Sequence, residues 1–126
     1  MARAQALVEF ALALPVLLLL MLAVFDAGRV AVAAGSLSNG AREGARTAAV
    51  LYPAEGWESA AAARARSAMS ALDLSLLSVV VTSESASGAT YVELQTTYRF
   101  RPIAPVLTLG RTDIPMTASS RMRARQ

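Results

Sequence analysis

The reading of this chain turns on residues 5–29, QALVEFALALPVLLLLMLAVFDAGR. From Phe10 to Phe25 nothing is charged, and Leu, Val, Ala, Met and Phe fill every position except Pro15. As α-helix that run covers about 24 Å, short of a ~30 Å hydrocarbon core. Including Ala6, Leu7 and Val8 completes a span but encloses Glu9. A carboxylate at the centre of a membrane helix costs on the order of 2.5–3.5 kcal/mol, and less towards an end. Such residues have a partner or a task, which makes Glu9 the most informative position. Pro15 removes one backbone hydrogen bond and predicts a kink or local unwinding.

Three readings of the N-terminus compete. A secretory signal peptide would use Ala31-Val32-Ala33 as its small-residue cleavage site, yet Asp26 and Arg29 separate that site from the apolar run. A plain anchor would keep Arg3 in the cytosol by the positive-inside rule. In the third reading residues 1–4 are a leader removed by cutting between Ala4 and Gln5, which makes Glu9 the fifth residue of the mature chain.

The third reading has residues behind it. Small Ala4, Gln5, Glu9 five positions into the processed chain, the aromatic Phe10, then FDAGR at 25–29 and AREGAR at 41–46 are all present. Together they resemble the TadE-like minor pilins (pseudopilins) of the tight-adherence (Flp) pilus system, strongly from Gln5 to about Val50. The resemblance departs at Ala4, where such precursors normally carry Gly. It implies a pilin-like fold and a non-enzymatic role in assembling a pilus for surface attachment. The implied partners are a prepilin peptidase, the major pilin, other minor pilins, the inner-membrane platform and membrane lipid. The implied location is the cytoplasmic (inner) membrane, single-pass, with the N-terminus cytosolic and the C-terminal domain outside. A cut after Ala4 would leave an ammonium on Gln5, and a neighbour's Glu9 could pair with it, fixing the register between subunits. Breaking such a buried pair costs roughly 3–5 kcal/mol. The bland counterpart is a Glu9 solvated among headgroups.

Composition narrows the alternatives. Of 126 residues, 55% are hydrophobic and only 6% aromatic, so the part outside lipid must build its core from aliphatic side chains. Cysteine and histidine are absent. That excludes a disulfide framework, a Cys/His metal site, a Cys nucleophile and a Ser-His-Asp triad. No catalytic residue, cofactor or metal is expected. The net charge of +3 comes from twelve arginines that are scattered except for Arg121, Arg123 and Arg125. Without interleaved aromatics they do not suggest nucleic-acid binding. The three clustered arginines read either as a contact for acidic phospholipid or a partner subunit, or as a charged edge that blocks aggregation.

Beyond Asp26 the chain stays compatible with helix until Pro53, predicting one helix of roughly 45 residues with the membrane part. Ala27, Val30, Ala31, Ala34, Leu37, Ala41, Ala45, Ala48 and Ala49 recur at spacings of three and four and mark its apolar side. Gly40 and Gly44 permit close backbone approach, within the chain's own domain or between subunits. Glu43 is expected to reach Arg46 or Asn39 on the same helix. PAEGW at 53–57 reads as a turn with Trp57 as a packing anchor, and 58–72 as a second helix with Arg64 and Arg66 in solvent. Strands follow over 76–83 and 90–100 with a loop at 84–89 between them, then a helical turn over 106–109 and a third strand over 113–125. On the second strand Val92, Leu94, Thr96, Tyr98 and Phe100 alternate with a polar face.

The expected fold is α+β: a long membrane-inserted helix, a second helix and a small three-stranded antiparallel sheet. Residues 1–4 form the leader, 5–26 the transmembrane helix and 27–126 the exported domain. The competing functional reading is a single-span membrane protein whose small exported domain binds a ligand or envelope partner, unrelated to pili.

Overall fold

The computed structural model describes residues 2–125. Helix α1 (Ala2–Leu51) runs 50 residues, about 75 Å, and passes through Pro15 without interruption. No local unwinding occurs there, because Pro15 forfeits a single backbone donor while the bonds on either side persist. The helix ends before Pro53, whose ring cannot continue it.

Helix α2 (Trp57–Ala68) follows a turn in which the rings of Tyr52 and Trp57 meet edge to face, with centroids 5.2 Å apart. Trp57 is therefore the expected packing anchor. The helix is shorter than the 58–72 expected. It stops so that Met69 can turn inward, fully buried, beneath Gly40. Met69 and Leu72 then form a turn closed by the Leu72 amide on the Met69 carbonyl. At Asp73 the carboxylate accepts the amide and hydroxyl of Ser75, which hold its pKa below the ordinary carboxylate value.

Strands β1 (Leu77–Ala86), β2 (Ala89–Phe100) and β3 (Ile114–Arg123) form one antiparallel sheet with β2 at the centre. The loop expected at 84–89 is instead a two-residue turn. Ser87 and Gly88 both take positive φ, 53° and 78°, the geometry that matches the strand twist in a hairpin. Glu84 and Ser85 thereby join the ladder opposite Tyr91 and Thr90. Pro115 lies on the edge strand β3, where a missing amide is tolerated.

The core lies between the inner face of the sheet and the second half of α1, with α2 beside it. From β2 it takes Val92, Leu94, Tyr98 and Phe100, the alternation expected from the sequence, and from α2 it takes Ala61 and Ala65. From α1 it takes Ala33, Leu37, Ala41, Ala45, Ala48 and Ala49. The expected helix stripe was rotated at its start: Ala27, Ala31 and Ala34 face outward, and Ala33 is buried in their place. Apart from Asp26 and Arg29, which meet the segment after β2, the head begins to cover α1 only near Val30, and spacings of four and three fix which side is covered from there. Alanine on both helices keeps the contact close, so glycine is needed where the sheet adds a third partner. A Cβ on Gly44 would strike the Leu94 side chain and stand 2.9 Å from the Ala65 Cβ. Gly40 and Gly44 thus face Met69, Leu94, Ala61 and Ala65 of the same chain.

Candidate functional site

The two halves of α1 differ in one physical respect. From Leu7 to Phe25 the large apolar side chains are exposed all round the helix: Val8, Phe10, Leu12, Leu17, Leu20 and Val24 among them. From Ala33 onward one face is packed into the head. An apolar helix with no covered face needs lipid or other helices as its surroundings. This helix is long and apolar enough to cross a membrane, and none of its most apolar stretch is buried by the rest of the chain. It suggests a single-pass membrane anchor.

The residues singled out for processing and register sit at the free end of that half. Ala4, Gln5, Glu9 and Phe10 lie exposed in the first turns of α1. Gln5 and Glu9 are four residues apart and so stack on one face. Among the described residues, none of the head covers them. Gly40 and Gly44, by contrast, are buried in the core about nine turns further on.

Where the two halves meet there is a polar joint. Asp26 is nearly buried, 9% exposed, at the first position after the apolar run. Its Oδ1 accepts Arg29 Nη1 at 2.8 Å. Its Oδ2 accepts the backbone amides of Ile103 and Ala104 at 2.8 and 3.1 Å. Arg29 also donates to the Arg101 carbonyl at 3.2 Å, and its guanidinium lies 4.9 Å from the centre of the Phe100 ring. The FDAGR segment thus ties the end of the apolar half to the segment after β2. Beside it runs an open groove of about 550 Å³ lined by Phe25, Gly28, Val32, Leu72, Tyr98 and Phe100. From sequence, Asp26 and Arg29 stand out as obstacles to a signal peptide and as part of the FDAGR motif, and neither is given a partner. The signal available was an acid closing an apolar run with an arginine one turn later.

Two other charge assignments change. Glu43 pairs with Arg64 of α2 at 3.1 Å, not with Arg46 or Asn39, because α2 packs alongside and carries Arg64 to it. Arg121 pairs with Glu84 at 3.1 Å and covers the Tyr91 ring at 4.7 Å. The end of β3 lies at the far pole of the head, where the Ala124 and Arg125 amides donate to Thr90 and Ala49. Ala49 is about 35 Å along α1 from Asp26. The end of β3 thus sits away from the apolar half of α1.

Comparison with known proteins agrees with the helix reading. The family model described as TadE-like protein matches residues 4–46. That stretch begins at the proposed junction, contains Glu9 and Asp26, and ends within the packed half of α1. The resemblance to TadE-like proteins of Tad pilus systems is thus shown on the N-terminal helix. No curated protein and no solved structure matches the chain.

Proposed function

We propose that this chain is a non-enzymatic minor pilin (pseudopilin) that takes part in assembling a tight-adherence pilus for surface attachment. It is anchored in the inner membrane by residues 5–26, with residues 1–4 on the cytosolic side and the α+β head outside. The observation that carries this reading is the division of a single helix into an uncovered apolar half and a half built into a folded head. The TadE-like match over residues 4–46 connects that shape to Tad pilus systems.

In this reading a prepilin peptidase cuts between Ala4 and Gln5. The exposed apolar half then packs against the major pilin and other minor pilins at the membrane platform. The Glu9 carboxylate meets the Gln5 ammonium of a neighbouring subunit. Charges brought together in low dielectric hold one axial offset, because a slip by one turn strands both of them. Intact mass of the protein from purified membranes tests the scheme. Loss of Met1–Ala4 is expected. A chain starting at Met1 or Ala2, or at Ala34, would overturn it in favour of a plain anchor or a signal peptide.

A further inference from the structure

The segment that Asp26 holds presents a surface of its own. Between β2 and β3 the chain reads RPIAPVLTLGRTD over residues 101–113, with a short helical turn α3 (Pro105–Thr108) in its middle. Ile103 is half exposed and Leu109 is 97% exposed. Leu109 takes a left-handed backbone, φ 54°, at the end of α3, a conformation that suits glycine better than a branched apolar residue. Exposed Arg101 and Arg111 flank the apolar positions.

The height of this loop along α1 is fixed. Its Ile103 and Ala104 amides are bonded to Asp26, one residue past the apolar run that ends at exposed Phe25. If residues 5–26 span a bilayer, Asp26 stands at the boundary between hydrocarbon and headgroups, and so does the loop. Charge at this level favours an acidic surface. Four arginines lie in or beside this joint, Arg29, Arg99, Arg101 and Arg111, against three acids: Asp26, which is bonded to Arg29, Asp113, which lies 3.4 Å from Arg101, and Asp73, whose carboxylate feels the charge of Arg101.

We propose that residues 101–111 form a second, interfacial membrane contact. Ile103 and Leu109 enter the headgroup–acyl boundary beside α1, while Arg101 and Arg111 lie among phosphates of acidic phospholipids. Apolar side chains flanked by cations have this preference at membrane surfaces. The inference rests on reading residues 5–26 as a membrane span. It turns the head from a body held at one point into one held at two, which sets its tilt against the bilayer.

The absence of cysteine allows single-site labelling. Leu109→Cys, Leu17→Cys and Ser119→Cys variants of the full chain would each carry an NBD fluorophore and be reconstituted into phosphatidylcholine–phosphatidylglycerol vesicles. Nitroxide lipids would supply shallow or deep quenching. Leu109 and Ser119 are exposed, so the fold tolerates both labels. The label at 109 should emit to the blue and lose most of its emission to the shallow nitroxide. At 17 quenching should come from the deep nitroxide, and at 119 from neither. Arg101→Gln with Arg111→Gln should reduce shallow quenching at 109 in the acidic vesicles. Water-like emission at 109 with deep quenching at 17 would overturn the loop contact and leave the span standing. Water-like emission at both would overturn the span itself. A blue shift at 109 that vanishes when protein is diluted with lipid would assign the loop to a second copy of the chain and overturn the lipid contact.

Discussion

The Asp26 carboxylate accepts the Ile103 amide at 2.8 Å, joining the last turn of an uncovered apolar helix to a residue 77 positions later. One oxygen also takes the Ala104 amide and the other takes Arg29, so one side chain satisfies three donors from two parts of the chain. Asp26→Ala leaves both amides without an acceptor, and unpaired donors shielded from water are expensive. Chemical unfolding in detergent should shift to clearly lower denaturant for the alanine variant. Asp26→Asn keeps one acceptor oxygen and loses the charge, so it should fall between alanine and the parent. Equal midpoints for all three would mean the joint contributes nothing to the fold.

The two core glycines differ in what faces them. At Gly44 an added methyl meets Leu94, the Ala65 Cβ and the Ala61 carbonyl, and two of these belong to the neighbouring helix. At Gly40 the three nearest atoms all belong to the flexible, unbranched Met69 side chain. Gly44→Ala should therefore destabilise the head by about 1–3 kcal/mol, in the range of overpacking. Gly40→Ala should cost much less, since alanine recovers up to ~1 kcal/mol of helix propensity. Thermal unfolding of the two variants side by side checks the order.

Thr96 is fully buried on the inner face of the sheet, and its hydroxyl lies 3.2 Å from the Ala118 carbonyl and 3.5 Å from that of Leu37. Both carbonyls stand within regular elements, so neither depends on this hydroxyl alone. Thr96→Val keeps the shape and removes the polar atom. Its effect on stability should stay within about 1 kcal/mol, because a neutral hydrogen bond has a small net worth. A larger loss would mean the hydroxyl fixes the distance between α1 and the sheet.

Glu9 is tested by function, not stability. It is exposed near the free end of α1, far from the head, so Glu9→Ala should insert and accumulate normally. Removing a charge from a membrane helix eases insertion. If the chain acts as the proposed minor pilin, co-purification of the major pilin and surface piliation should both fall. Glu9→Gln should do nearly as badly, because an amide cannot offset an ammonium. Normal piliation with either variant would reduce Glu9 to a solvated headgroup residue.

What the sequence made legible was whatever had a short period. The apolar run, the helix up to Pro53 and the alternation of Val92, Leu94, Thr96, Tyr98 and Phe100 are local patterns, and each stands in the fold. The Ser87-Gly88 turn was read as a longer loop because Ser at a positive φ is a weaker signal than Asn before Gly. The start of the buried helix stripe was misjudged because alanine is common on both sides of α1, and only the head decides which side it covers. Partners distant in sequence were out of reach: Arg64 for Glu43 is set by helix packing, and the 103–104 amides for Asp26 by a loop after β2. Of the candidate site, Glu9 and the Ala4–Gln5 junction came from spacing, and the Asp26 joint came from the structure.

Because α1 is unbroken from Ala2 to Leu51, no linker separates its apolar half from the head it supports. Torque or pull applied to the apolar end passes to the head through a continuous helix, without slack. Tension along the axis is borne by helical hydrogen bonds, and the head follows through the core packed on the second half of α1 and the two amides on Asp26. Drawing the rod outward by one turn raises the head about 5.4 Å and lifts the 101–111 loop with it. Extraction from a bilayer would then strain the loop before the sheet.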